Sequence, residues 1–269
     1  MIVAFLKLLV PLAGWRKLCT RVLNGMAASW ISLNNLNIEL TKKIKWEVQG
    51  LEGLSLKQWY LVISNHQTWI DIIVLQKIFN RRIPFLKFFL KKELIWVPFL
   101  GVAWWALEFP FMKRYSAAFL KKYPHLKGKD MEITRKACRK FKTTPVSVMN
   151  FVEGTRFTEE KHNRQKSPFT HLLKPKAGGV GFVLSAMGDQ LNSILDVTIV
   201  YPGGKKSFWG FLCGRTDAIR ITIEKIPVTE ELLGDYIEDK DYQNRFQNWL
   251  NSLWAKKDLI LKKSENNPA

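Results

Sequence analysis

The sequence predicts an α/β fold: a single domain with a central mixed sheet flanked by helices, preceded by an apolar, amphipathic helical segment at the N-terminus. Three observations carry this. From residue 45 onward, short apolar runs bounded by turn residues alternate with segments of helical periodicity. The chain has 269 residues, 47% of them hydrophobic, enough for one substantial core. The first 35 residues are apolar but broken by charge.

That opening segment comes first in the argument. Residues 1–14 are strongly apolar, yet the run is shorter than the about 20 residues a bilayer crossing needs, and Lys7 and Pro11 weaken it. It has the look of a signal-peptide core, but no clear small-residue cleavage site precedes Trp15-Arg16-Lys17. Apolar positions continue through Leu18, Val22, Leu23, Met26, Ala27, Trp30, Ile31 and Leu33, interrupted by Arg16, Lys17 and Arg21. One or two amphipathic helices are expected, lying in a membrane interface or packed as core helices. The predicted division is a membrane-associating segment over 1–35, the main domain over 36–262 and a disordered tail over 263–269.

Within the main domain, residues 46–51 read as a short strand and 58–64 as a stronger one. Thr68 is placed to cap a helix running on through Ile78. A strand is expected over 83–89, a turn at 98–101, a short strand over 107–112 and an amphipathic helix over 130–141. A strongly apolar strand follows at 145–152, then a helix at 177–187, strands at 194–201 and 218–226, and a closing helix at 242–262.

The charge balance is unusual: 42 Lys and Arg against 23 Asp and Glu, a net +19. Such a chain seeks anionic partners: nucleic acid, anionic lipid or phosphorylated substrates. The basic residues are dispersed, not gathered in an arm, which argues against nucleic acid. There are 11 Trp and 17 Phe, many beside Lys or Arg. That pairing suits a membrane boundary, although most of these aromatics are expected to fill the core. Cys19, Cys138 and Cys213 are far apart and lack metal spacing, so buried thiols in a reducing compartment are expected.

Three clusters could do chemistry, each at the end of a predicted strand, where open α/β sheets place their ligands. In the first, His66 sits at a strand-to-helix turn and Asp71 lies one turn into the helix. The carboxylate can reach one imidazole nitrogen and leave the other as a general base. This is the orienting half of a hydrolytic triad without its serine. Either the substrate supplies the hydroxyl or Ser64 is the nucleophile; the missing G-x-S-x-G elbow argues against Ser64. The alternative is a core histidine satisfied by a helix carboxylate. In the second cluster, Phe151-Val152-Glu153-Gly154-Thr155-Arg156, Arg156 could grip a phosphate bidentately and Gly154 permit the turn. Glu153 could orient Arg156 or a substrate hydroxyl, or the turn could be a plain surface ion pair. The third is Phe111-Met112-Lys113-Arg114-Tyr115, whose adjacent cations suit a phosphate or simple solvation.

Taken together, these residues resemble the glycerophospholipid acyltransferase family, which includes 1-acylglycerol-3-phosphate acyltransferases. The family's N-H-x-x-x-x-D motif stands as Asn65-His66-Gln67-Thr68-Trp69-Ile70-Asp71, and its F-P-E-G-T-R motif as residues 151–156, with Val152 in place of proline. The likeness covers roughly residues 45 to 225. It implies His66 as catalytic base, Asp71 as its orienting partner, and Glu153, Gly154, Thr155 and Arg156 as acceptor-binding residues. Arg114 matches the terminal arginine of another motif, although Phe111-Met112-Lys113-Arg114 departs from the common G-x-x-F-I-D-R form. Val197-Thr198-Ile199-Val200-Tyr201-Pro202 and the stretch from Phe157 to Lys176 look like the branch containing lysocardiolipin and lysophosphatidylinositol acyltransferases and bacterial relatives.

The resemblance implies transfer of a fatty acyl chain from acyl-CoA or acyl carrier protein to a lysophospholipid hydroxyl, with no metal or cofactor. Backbone amides near the helix start are candidates for oxyanion stabilisation. Expected partners are lysophospholipid, acyl thioester and an anionic membrane surface, on the cytoplasmic face (the inner membrane in a bacterium). Competing expectations are an acyl thioesterase or lipid hydrolase, and a non-catalytic basic membrane- or nucleic-acid-binding protein.

Overall fold

Tyr60, Leu61, Val62, Ile63 and Ser64 are all fully buried. A strand with both faces covered must run inside a sheet sandwiched between two layers. The computed structural model, which describes residues 2–112, 138, 141, 144–205, 207–236 and 238–265, has that arrangement.

Two helices come first, α1 (Ile2–Leu9) and α2 (Ala13–Thr41). Then follow β1 (Lys45–Gln49), β2 (Tyr60–Ser64), α3 (Ile70–Phe79) and β3 (Leu86–Phe88). A side excursion contains β4 (Leu90–Lys91), a 3₁₀ turn (Lys92–Trp96), α4 (Leu100–Ala106) and β5 (Phe111–Met112). The chain continues through β6 (Ser147–Phe151), α5 (Glu159–Gln165), α6 (Ala177–Met187) and β7 (Ser193–Val200). It closes with α7 (Phe208–Leu212), β8 (Ala218–Pro227) and α8 (Lys240–Glu265).

The main sheet has the order β1-β8-β7-β2-β6-β3. Only the β7–β8 pair is antiparallel; β1–β8, β2–β7, β2–β6 and β3–β6 are parallel. The predicted mixed sheet flanked by helices is therefore present. Side chains alternate across β2: Leu61 and Ile63 pack with α6 and α8, through Val180, Leu184, Phe246, Leu250 and Trp254. Tyr60 and Val62 face α3 and the end of α2, through Ile70, Val74, Ile78 and Ile38. Lys257, on α8, is buried against β7; its ammonium meets Asp196 Oδ1 at 2.8 Å, the Val197 carbonyl at 2.7 Å and Thr198 Oγ1 at 2.9 Å. A charge so placed is tolerable because each contact is an acceptor.

Several expectations are corrected. The first long helix carries on to Thr41, past the predicted boundary at 35, because α2 is continuous where the sequence shows no breaker. The 98–101 turn is instead the entry to α4, and the 107–112 strand shrinks to β5, since a turn with Glu108 at φ +61 takes up its start. The closing helix reaches Glu265, so residues 263–265 are helix and not tail. Residues 266–269 and most of the expected 130–141 helix lie outside the described residues; Cys138 and Phe141, which are described, are buried.

Tryptophan departs furthest from expectation. Trp254 is fully buried, whereas Trp30, Trp69, Trp96, Trp105 and Trp209 are exposed and the remainder half-buried. On α2 the exposed apolar residues Leu18, Val22, Met26, Trp30, Leu33, Leu36 and Leu40 recur every three or four positions and so form one stripe. Among the described residues no helix is long and apolar enough to cross a membrane.

Trp254→Ala is expected to remove a fully buried indole from the α8–sheet interface and to cost about 3–5 kcal/mol. Denaturant unfolding checks this; a loss under about 1 kcal/mol contradicts the packing described.

Candidate active site

Three adjacent parallel strands, β6, β2 and β7, end at one place. Each releases a short loop there, and the loops carry the side chains singled out in the sequence. Ser64, the last residue of β2, is paired with Phe151 of β6 and Val197 of β7. Asn65 then knits the turn to β7: its Oδ1 accepts the Ile199 N–H at 2.9 Å and its Nδ2 donates to the Ile199 carbonyl at 2.9 Å.

The next residue is His66. Its Nδ1 lies 2.8 Å from Asp71 Oδ2. An ionised carboxylate only accepts hydrogen bonds, so Nδ1 carries the proton and Nε2 keeps its lone pair. One face of the ring stacks on Phe151, with centroids 3.8 Å apart and planes 12° from parallel. The imidazole is thus held by a hydrogen bond along its edge and an aromatic plate on its face.

Asp71 is fully buried and well satisfied. Oδ2 also accepts the backbone N–H of Gln67 at 2.6 Å and of Thr68 at 2.9 Å. Oδ1 accepts the Tyr201 hydroxyl at 2.7 Å. The cap expected of Thr68 is not made: the N-cap is Trp69, with no side-chain cap bond, and Asp71 instead ties down the two amides just ahead of the helix. The same geometry corrects the oxyanion expectation for two donors, because the Gln67 and Thr68 amides are already engaged by this carboxylate. Tyr201 was missed as a site residue in the sequence. It sits one position past β7, and only the sheet order brings it under Asp71, 130 residues away. Burial and the neighbouring carboxylate hold its phenol well above its ordinary range.

The second cluster is adjacent. Gly154 adopts φ +71, a left-handed conformation open to glycine, and its N–H returns to the Phe151 carbonyl at 2.8 Å. The turn points Glu153 inward. Its Oε1 accepts the His66 N–H at 3.1 Å and its Oε2 accepts the Leu173 N–H at 3.0 Å. Glu153 is fully buried. It therefore neither pairs with Arg156 nor faces solvent; it ties the histidine's main chain to the loop before α6. Burial pushes its carboxyl up to about 8, against the lowering effect of the two amides.

Arg156 points out. Its guanidinium lies over the Trp69 indole, 4.6 Å from the ring centroid, beside the start of α3. Among the described residues it has no carboxylate partner within ion-pair distance. The Thr155 hydroxyl accepts from Lys161 Nζ at 2.8 Å, and Lys161 also donates to the Arg156 carbonyl at 3.1 Å. Lys161, on α5, is a second cation that sequence reasoning passed over; no strand-end signal marks it. The Phe157 N–H donates to the His66 carbonyl at 2.8 Å, closing the two loops on each other. The structure thus brings His66, Asp71, Glu153, Gly154, Thr155 and Arg156 together. Arg114 lies outside the described residues. Ser64 is fully buried with its hydroxyl turned to Asn65 Oδ1 at 3.4 Å, away from a nucleophile's position.

The class of protein is an α/β protein with an oriented imidazole and a cation-bearing turn at the carboxyl ends of its sheet. Residues 45–202 match the family model described as Acyltransferase, and the chain belongs to that family. It is 26% identical over 217 residues to 1-acyl-sn-glycerol-3-phosphate acyltransferase gamma of Mus musculus, covering 76% of this chain and 53% of that protein. It is 23% identical over 229 residues to the epsilon protein of the same name and organism, covering 76% and 58%. A 2-acyl-1-lysophosphatidylinositol acyltransferase of Saccharomyces cerevisiae is 26% identical over 131 residues, 44% of this chain and 33% of that one. The chain spans little more than half the length of the first two relatives. Among solved structures, the 1-acyl-sn-glycerophosphate (LPA) acyltransferase PlsC of Thermotoga maritima aligns with a TM-score of 0.48 at 17% identity, over 95% of this chain and 87% of that one.

Two outcomes follow from the geometry. Tyr201→Phe leaves Asp71 Oδ1 without its donor in a buried site, and should destabilise the fold by about 1.5–3 kcal/mol in thermal or denaturant unfolding. Glu153 is protonated in the fold up to about pH 8, while the unfolded chain ionises near 4.5. Stability should therefore fall as pH rises through that window, by at most about 1.4 kcal/mol per pH unit from this group. Glu153→Gln should flatten that slope, measured as melting temperature between pH 5 and pH 8.

Proposed function

We propose that this chain is a lysophospholipid acyltransferase that moves a fatty acyl group directly from a thioester to an acceptor hydroxyl. The observation that supports it most is the imidazole whose Nδ1 is held by Asp71 while Nε2 stays available. Nε2 takes the proton of the acceptor hydroxyl as its oxygen attacks the thioester carbonyl. The tetrahedral intermediate then expels the thiolate, which recovers the proton from the imidazolium. Asp71 stabilises that transient cation. The burial of Ser64 speaks for a route with no acyl-enzyme.

The donor is acyl-CoA or acyl carrier protein, and no resident cofactor takes part. The acceptor is a lysophosphatidate-like lipid whose phosphate meets Arg156, exposed beside the histidine. Thr155, positioned by Lys161, and the turn at Gly154 shape the acceptor's seat; Arg114 is a further candidate cation for it. Glu153 contributes by holding the His66 main chain. Oxyanion donors come from amides other than those of Gln67 and Thr68.

The reaction takes place at an anionic membrane surface on the cytoplasmic face, the inner membrane in a bacterium, and not on nucleic acid. The net charge of +19 and the apolar stripe of α2 favour that setting. The three free cysteines fit a reducing compartment.

The deciding assay incubates the chain with an acyl thioester, with and without lysophospholipid, and follows lipid product by mass spectrometry. Product should require the acceptor, and His66→Ala should lower kcat by about 10²–10⁴-fold. Thioester cleavage independent of acceptor as the main activity would point to a hydrolase instead. Arg156→Ala should raise the acceptor KM more than the donor KM; equal effects on both remove Arg156 from the acceptor site.

A further inference from the structure

We infer that the knuckle formed by the 3₁₀ turn and α4, residues 92–106, is a second membrane-inserting element, which with α1 makes one apolar platform seated in an anionic bilayer. The inference rests on the membrane-surface reading above and extends it to a part of the chain outside the N-terminal helices.

The knuckle exposes what a water-facing loop would bury. Trp96 is 85% exposed and Phe99 77%, and Leu100 and Trp105 are also exposed. Apolar side chains this large and this concentrated mark an interaction surface.

The backbone holds them there at a cost. Phe99 has φ +61, a left-handed conformation that side chains rarely adopt. A Cβ on Gly101 would lie 1.9 Å from the Ile95 carbonyl oxygen, so only glycine lets the chain double back so tightly. The Gly101 N–H donates to the Val97 carbonyl at 2.8 Å, and that of Ala103 to the Phe99 carbonyl at 3.0 Å. The segment is therefore a fixed protrusion with Trp96 and Phe99 at its tip.

The second observation is the inverted polarity of α1. This helix packs against α4. Its buried residues are Ala4 and Lys7, and the Lys7 ammonium donates to the Ala106 carbonyl at 3.0 Å and to Glu108 Oε1 at 2.7 Å. Thr20 of α2 also donates to Glu108 Oε1, at 3.1 Å. Ile2, Phe5 and Leu9 are left outside, 78%, 61% and 60% exposed. A helix that docks through one small residue and a lysine and leaves its large apolar side chains outside is built for a non-aqueous neighbour. The latch to Ala106 and Glu108 joins that apolar side to the knuckle.

A bilayer fits better than a protein partner because the charge is complementary. Lys91 and Lys92 are exposed at the base of the knuckle, beside Glu93, on a chain of net charge +19. Tryptophan above lysine is the order in which a headgroup region receives them.

The test uses the full chain and vesicles of phosphatidylcholine with and without phosphatidylglycerol. The wild type should sediment with the anionic vesicles, and Trp96→Ser with Phe99→Ser should raise the lipid concentration for half-binding about tenfold or more. Both side chains are exposed, so the melting temperature should stay put. Independently, Trp96→Phe should reduce the fluorescence quenching produced by brominated phosphatidylcholine. If the wild type binds and both variants behave like it, the knuckle is outside the membrane and the inference falls, while the membrane-surface reading stands. If the wild type ignores vesicles altogether, both fall. If the serine substitutions dissolve a lipid-free oligomer and leave vesicle binding unchanged, the patch joins copies of this chain and the inference is overturned.

Discussion

One buried carboxylate organises this molecule's chemistry. Asp71 accepts an imidazole N–H, two backbone amides and a phenol, and none of its exposure to water survives folding. An unpaired charge there would be prohibitive, so the four donors are a condition of the site's existence. Each donor constrains something different. The imidazole gains a fixed tautomer, the amides fix the strand-to-helix turn, and Tyr201 ties the helix start to the end of β7. The orientation of the imidazole is thus set by the fold itself.

Glu153 performs the corresponding service from the other side. It joins the main chain of His66 to that of Leu173 through a buried carboxyl. A motif residue that reads from the sequence as a ligand for substrate is therefore a strut between two loops. Burial is what pushes its carboxyl up to about 8, because the charged form loses its water. Arg156 points outward instead, its guanidinium over the Trp69 ring.

The outer surface follows a different rule from the site. In the sheet layers, burial obeys the usual sorting, with β7 covered along its whole length. Along α1, α2 and α4, apolar side chains face out and a lysine faces in. Exposed apolar surface on this scale marks an interaction surface.

The alternation of apolar runs and helical segments determined the α/β class, and α6 and the approximate places of β2, β6, β7 and β8 could be read residue by residue. His66 and Asp71 were legible because five positions across a strand-to-helix turn is a local distance. Glu153 and Arg156 were legible as a cluster but not in direction, since a turn's handedness decides which side chain goes in. Tyr201 and Lys257 were not legible as partners. Their contacts cross the sheet order β7-β2-β6 or depend on which helix lies over which strand, and pairing between distant strands leaves no mark in local periodicity. Nor could composition say which tryptophans are buried. That depends on whether a helix's apolar side meets the core or the outside, and only the packed structure decides it.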